Sequence, residues 1–307
     1  MFEMKVVIIG ARGQLGSDLT KVFGSDAIPL THEDIEVTNL ESCKNISKFD
    51  PDAIINTAAF HKTDDCELMP EKTFQVNAVG AKNIAEISEQ IGAVDIFIST
   101  DYVFDGLKDG LYTEDDLPNP INTYGISKLA GEIFTRNYNK KHYVVRVASL
   151  FGVAGASGKG GNFIETMIRK AKEGADLKVV DDIMMTPTYT RDAAVAIKEL
   201  LEKKAPYGTY HVVNTGATTW YKFAKEIFDV LNMNANLKPT TSSEYKTRAK
   251  RPKNSALSNE KLKALGIQMR TWQDALKAYL KEKGHLKSVS YTHLRAHETS
   301  LHLVCRL

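Results

Sequence analysis

The chain has 307 residues, 43% hydrophobic and 25% charged, which suffices for one large or two ordinary domains and excludes a disordered or collagen-like chain. With 40 Lys and Arg against 38 Asp and Glu the formal charge is +2, so neither nucleic acid nor an anionic membrane is expected as a partner. Three cysteines (Cys43, Cys66 and Cys305) without a CxxC pair exclude a disulfide scaffold and a zinc ribbon and favour a reducing, cytoplasmic setting.

The opening MFEMKVVIIG meets glycine too early for a leader or a spanning helix and reads as a strand at 5–9. Further strands are expected at 27–30, 53–56, 95–99 and 143–147, separated by amphipathic helical patterns near 15–23, 71–90 and 127–137. This alternation predicts an α/β chain with a Rossmann-like, doubly wound parallel sheet. From Ala154 the texture changes. A glycine-rich loop, AGASGKGGNF, precedes a helix near 163–173, a short strand at 178–180, a helix at 192–203 and a strand at 209–213. A helix at 220–230 behind Thr218 and Thr219, a basic irregular TRAKRPKN and a last helix at 272–281 follow. The end, VSYTHLRAHETSLHLVCRL, does not continue the pattern; residues 289–307 read as a non-native tail. Its HLRAH spacing lacks the glutamate of HExxH and a third ligand, so no metal site is assigned, and a requirement for Mg2+ stays open.

Two motifs carry chemistry. In VVIIGARGQLGSDL, Gly10, Gly13 and Gly16 form GxxGxxG between a strand and a helix, where backbone amides and the helix dipole receive a dinucleotide pyrophosphate. Tyr124-Gly-Ile-Ser-Lys128 places a phenol and an ammonium one helical turn apart, the pairing a phenol needs to act in proton transfer near neutrality. A third participant, a hydroxyl at a strand end, is offered by Ser99 and Thr100 in IFISTDYVFDG. Arg12, inside the glycine turn, could meet a 2′-phosphate, which favours NADPH while NADH remains possible.

The glycine spacing and the YxxxK element resemble extended short-chain dehydrogenase/reductases, and STDYVFDG resembles more narrowly the dTDP-4-dehydrorhamnose reductase family. The likeness covers nearly all of residues 4–283, with GQLG, NTAAF, FQVNAVGAKNIA, NTYGISKLAGE, GGNF and PTYTRD as further matches. It implies a smaller α/β substrate-binding domain over 154–284 beside an NAD(P)-binding domain over 1–153, with 186–213 returning to the latter. It also implies reduction of the C4 ketone of a nucleotide-sugar, with Thr100 as catalytic hydroxyl, Tyr124 as proton donor and Lys128 as its partner. Gln14 and Leu15 would line the pyrophosphate turn, Ala58 and Ala59 the nicotinamide-side ribose, Val37 the adenine, and Asp101 the sugar. One departure stands out: members carry a tryptophan within RTSWVY where this chain reads RVASLFG, and Leu150 is assigned to that place as a smaller apolar wall of the sugar pocket.

In the substrate half, Asn162 could cap a helix or reach a ligand, and Arg191 could clamp a pyrophosphate or pair with Asp192 or another acid. A homodimer is possible. The alternatives are a reductase or epimerase of another nucleotide-activated sugar and a non-catalytic dinucleotide-binding regulatory subunit, against which the intact Thr100, Tyr124 and Lys128 set weighs.

Overall fold

The computed structural model describes residues 4–155 and 161–286; the segment 289–307 and the middle of the glycine-rich insertion lie outside the described residues. The first half alternates β1 (Val6–Ile9), α1 (Gln14–Phe23), β2 (Ala27–Leu30), α2 (Leu40–Lys44), β3 (Ala53–Asn56), α3 (Thr63–Leu68), α4 (Pro70–Phe74), α5 (Gly80–Ile91), β4 (Val94–Thr100), α6 (Thr123–Tyr138) and β5 (His142–Val147). There follow β6 (Leu150–Phe151), α7 (Phe163–Lys172), β7 (Leu177–Val180), β8 (Met184–Met185), β9 (Thr188–Tyr189), α8 (Thr190–Glu202) and β10 (Gly208–His211). The chain continues with β11 (Thr218–Thr219), α9 (Trp220–Leu231), β12 (Leu237–Thr240), α10 (Glu260–Ala264) and α11 (Trp272–Glu282). Among the described residues no helix is long and apolar enough to cross a membrane.

Six strands form one parallel sheet in the order β10-β5-β4-β3-β1-β2. The winding reverses at β1, which has β2 on one side and β3 on the other, and the crevice at the carboxyl end of such a reversal is where ligands collect. Both faces of β1 are covered. Val6 and Ile8 pack with Leu15 and Leu19 of α1 and with Ile197 and Leu200 of α8, while Val7 and Ile9 pack with Ile84 and Ile87 of α5. A strand buried on both sides gains from an apolar residue at every position, which is why VVII shows no alternation. A separate core of Phe151, Ile164, Ile168, Phe223, Ile227, Trp272 and Leu276 joins α7, α9 and α11. After building α7 the chain returns to the sheet through α8 and β10, then completes this second core with α9 and α11.

Two helices differ from their sequence patterns. The helix expected over 71–90 is interrupted by a π turn at Gln75–Val79, between α4 and α5. There Asn77 is buried and receives the Phe60 amide at 2.8 Å, while its own amide donates to Phe60 O and Ser127 Oγ. That ties the loop after β3 to α6. The helix expected from 127 starts a turn earlier, at Thr123: Asn122 accepts from the Gly125 amide at 2.8 Å, and Glu67 accepts from both the amide and hydroxyl of Thr123. The apolar periodicity begins only after this first turn, so the cap sets the start.

Asp95, near the beginning of β4, is buried with neither carboxylate oxygen hydrogen-bonded, and burial pushes its carboxyl up to about 8. The folded chain therefore holds a proton that the unfolded chain releases near pH ~4, and stability drawn from this group is full below that value and lost as pH rises toward 8. Asp95→Asn should flatten that slope: thermal denaturation should show the variant gaining stability over wild type from pH 5 toward pH 8, by about 1–3 kcal/mol at the upper end. Parallel stability curves would contradict the assignment.

Candidate functional site

The glycine turn follows directly from β1. Gly10 has φ +79°, and a Cβ there would sit 2.5 Å from Thr57 Oγ1; a Cβ on Gly16 would sit 2.2 Å from Gly10 O. Only glycines let the first turn of α1 press against this loop. Gly13 caps α1 from an extended conformation without a side-chain acceptor, so the leading amides of the helix stay available to an external anion. These features fit a dinucleotide pyrophosphate. Across the crevice, the Thr57 hydroxyl donates to Ile9 O at 2.6 Å and brings Ala58 and Ala59, half-buried at the end of β3, beside the turn.

The other cofactor-side residues divide. Arg12 is exposed, with Nη1 3.3 Å from both carboxylate oxygens of Glu33 in the loop after β2. Gln14 lends its backbone to the turn, but its side chain donates to Leu150 O at 2.9 Å, and Leu15 is a core residue. Val37 is buried closely on Gly80, where a Cβ would meet its Cγ2 at 2.8 Å, and its carbonyl accepts from Asn83, so α5 fixes this residue from two sides.

The second cluster gathers where β4 ends. Ser99 and Thr100 looked equivalent in sequence, yet alternation sends them to opposite faces. The Ser99 hydroxyl donates to Glu132 Oε1 at 2.6 Å, which leaves Thr100 to face Tyr124. The Thr100 hydroxyl donates to Asp101 Oδ1 at 2.9 Å and accepts the Tyr102 amide at 3.2 Å. The Tyr124 ring stands edge-on to Tyr102, with centroids 6.0 Å apart. Lys128, one turn along α6, is buried with Nζ 4.1 Å from the centre of the Phe97 ring.

Burial governs the charges. It pushes the Tyr124 phenol above its ordinary range, opposed by the Thr100 hydroxyl, and draws Lys128 down to about 7, opposed by the Glu132 carboxylate. It also raises Asp101 to about 6, against the Ser255 and Thr100 hydroxyls that favour the charged form. The cluster can thus place a phenol, a hydroxyl and a titratable amine around one acceptor oxygen.

The substrate-side residues are engaged within the protein. Asn162 caps α7 by accepting the Glu165 amide and donates to Gly152 O and Tyr279 Oη, so its amide is spent within the second core. Arg191 pairs with Glu282 at 2.8 Å rather than with Asp192, which is held instead by Arg270 and Asn214. Leu150 lies on β6, paired in register with Thr188 and packed against the core that contains α1. Aligned from their shared arginine, RVASLF and RTSWVY set the tryptophan opposite Ser149, which has φ +42°, and not opposite Leu150.

Sequence reasoning passed over Tyr102, Ser255 and the Asp64–Arg251 pair. Arg251 Nη2 meets Asp64 Oδ2 at 3.1 Å, and Asn122, the cap of α6, donates to Lys250 O at 2.9 Å. The basic segment is therefore fastened against the start of the helix that carries Tyr124. Only Tyr102 had a local signal, its place beside Asp101. Among the described residues no group of three or more His, Cys, Asp or Glu is placed to hold a metal ion.

Comparison with known proteins agrees with this arrangement. The model of the RmlD substrate binding domain family matches residues 4–284. The chain is 37% identical over 283 residues to the spore coat polysaccharide biosynthesis protein SpsK of Bacillus subtilis, covering 91% of this chain and 98% of that one. It is 36% identical over 290 residues to a dTDP-4-dehydrorhamnose reductase of Aggregatibacter actinomycetemcomitans, covering 89% and 97%. The crystal structure of dTDP-4-dehydrorhamnose reductase from Bacillus anthracis in complex with NADP superimposes with a TM-score of 0.86 at 38% identity, covering 92% of this chain and 100% of that one. A match along almost the whole described chain, in sequence and in fold, shows that the chain belongs to the RmlD substrate binding domain family.

Proposed function

We propose that this protein reduces the C4 ketone of dTDP-4-dehydro-L-rhamnose to give dTDP-L-rhamnose, using NADPH in a cytoplasmic biosynthetic setting. The observation that supports the reading is Thr100 facing Tyr124 at the carboxyl end of β4, with buried Lys128 one turn further along the same helix, on the same sheet edge as the Gly10–Gly16 turn. A regulatory subunit that only binds a dinucleotide has no physical need to bury a lysine one helical turn from this phenol.

When bound, the reduced nicotinamide supplies a hydride. The chain's residues do the rest. Amides of the glycine turn and of Gln14 and Leu15 hold the pyrophosphate, and Ala58 and Ala59 leave room for the ribose on the nicotinamide side. As charge develops on the ketone oxygen, Tyr124 gives it a proton and Thr100 donates a hydrogen bond to it, while the Lys128 ammonium stabilises the phenolate left behind. A second reading, reduction of a different nucleotide-activated 4-keto sugar, is favoured by Ser149, which stands where related chains carry a tryptophan and offers no ring to stack on the sugar. A panel of nucleotide 4-keto sugars separates the two readings: a better substrate than the rhamnose precursor would select the second.

Two variants test the reductase reading. Tyr124→Phe removes one hydroxyl and should lower turnover about 100- to 10,000-fold while fold and NADPH binding persist. Near-normal reduction would remove Tyr124 from proton transfer. Arg12→Ala should weaken NADPH about tenfold by titration and leave NADH almost unchanged, since only the former carries the 2′-phosphate. Equal losses for both cofactors would take Arg12 out of cofactor choice.

A further inference from the structure

Delivery of a proton by Tyr124 leaves a phenolate that must be recharged before the next turnover. Tyr124 is half-buried and its phenol is desolvated, so the route by which that proton returns is a structural question. The Thr100 hydroxyl faces Tyr124 on one side and donates to Asp101 Oδ1 at 2.9 Å on the other. Asp101 is 4% exposed, and besides the Thr100 hydroxyl on its Oδ1 the Ser255 hydroxyl faces its carboxyl. We propose that Asp101 recharges Tyr124 through the Thr100 hydroxyl, acting as the proton store of the reaction. This rests on the reductase reading above and adds a role to it.

The step balances in protons alone. The Asp101 O–H bond breaks as its proton passes to Thr100 Oγ1, the original Thr100 O–H bond breaks as that proton passes to Tyr124 Oη, and the products are a carboxylate, an intact hydroxyl and a phenol. The carboxylate then takes a proton from solvent between turnovers. The observed bond, with Thr100 donating to Asp101, is the arrangement left once the phenol is recharged. Burial supports the assignment, because it raises the Asp101 carboxyl to about 6 and so keeps a usable fraction protonated close to neutrality. The groups facing Asp101 are Thr100 and Tyr102 on its own turn, Tyr124 from α6 and Ser255 from the segment after the basic run, with the Asp64–Arg251 pair behind Tyr102. Among the described residues no Lys or Arg forms an ion pair with the carboxyl, whereas an adjacent guanidinium would have held it ionised.

The test uses the full chain, NADPH and dTDP-4-dehydrorhamnose with Asp101→Asn and Asp101→Glu. Asparagine keeps an acceptor for Thr100 and has no acidic proton. Whatever its first turnover loses through the sugar contact, its steady state should be at least about tenfold slower than that first turnover, so that NADPH oxidation shows a burst of one equivalent per site. Wild-type steady-state turnover should fall as pH rises through about 6, and Asp101→Asn should lack that transition. Asp101→Glu should restore multiple turnover in part. Equal losses in the first and later turnovers, or a raised KM at unchanged kcat, would overturn the relay and leave Asp101 as a sugar contact. A second measurement is independent of substrate: carboxyl-carbon NMR of the cofactor-free protein, with the Asp101 signal identified by its loss in Asp101→Asn. Titration near 6 that moves in Thr100→Val supports the store, and titration near the ordinary carboxylate value of ~4 overturns it. Wild type that reduces no 4-keto sugar would defeat the reductase reading by a separate result.

Discussion

The site depends on one buried carboxylate. Glu132, on α6, accepts from Ser99 Oγ and Arg146 Nε through Oε1 and from Arg146 Nη2 through Oε2, at 2.6, 2.8 and 2.8 Å, and Arg136 of its own helix also binds it. Ser99 and Arg146 are register partners on β4 and β5, so a single side chain rivets the helix to two neighbouring strands. Desolvating these charges is expensive, and their worth lies in geometry: removing one partner from such a buried pair costs about 3–5 kcal/mol because the other is stranded. Lys128 and Tyr124 lie one and two turns back along the same helix, so the rotation and height fixed by Glu132 decide where the ammonium and phenol point. The first turn is secured separately, by Asn122, Glu67 and the fastened basic segment.

Burial that steadies this helix also sets its chemistry. The same low-dielectric surroundings raise the Tyr124 phenol, lower Lys128 and raise Asp101. A phenol kept protonated is a ready donor, and it needs help only at the moment it becomes an anion. Thr100 and Lys128 are placed to give that help, one through its hydroxyl and the other through a charge that Glu132 favours. His211 shows the converse at the far end of the network: burial, with Arg146 next to it, drives its imidazole down to about 3, so it stays neutral and adds no charge to the Glu132 cluster.

What the sequence revealed follows from how local each signal is. The strands of the sheet and the glycine turn were legible because VVIIG and YGISK carry their own periodicity and spacing. The choice of Thr100 over Ser99 came only from the family resemblance and not from the strand itself, because it depends on Glu132, more than thirty residues later in the chain. For Arg191 an acidic partner was foreseeable but not which one, because Glu282 lies 91 residues on and Arg270 takes the neighbouring Asp192. Leu150 was misplaced by one residue in a segment where alternation reverses which face a side chain takes, so the slip exchanged a core residue for the left-handed Ser149. The π turn at Gln75–Val79 left no trace in the apolar pattern; within it, Asn77 is fixed by hydrogen bonds to Phe60 and Ser127.

The central claim is that the crevice delivers hydride to the C4 carbon of a nucleotide-bound 4-keto sugar. Wild-type protein supplied with dTDP-4-dehydrorhamnose and NADPH deuterated at the transferring position tests it directly, with the product read by NMR and mass spectrometry. The account predicts a single deuterium on sugar C4, matched one for one by cofactor oxidation. Deuterium retained by the cofactor, or found at another sugar carbon, would contradict it.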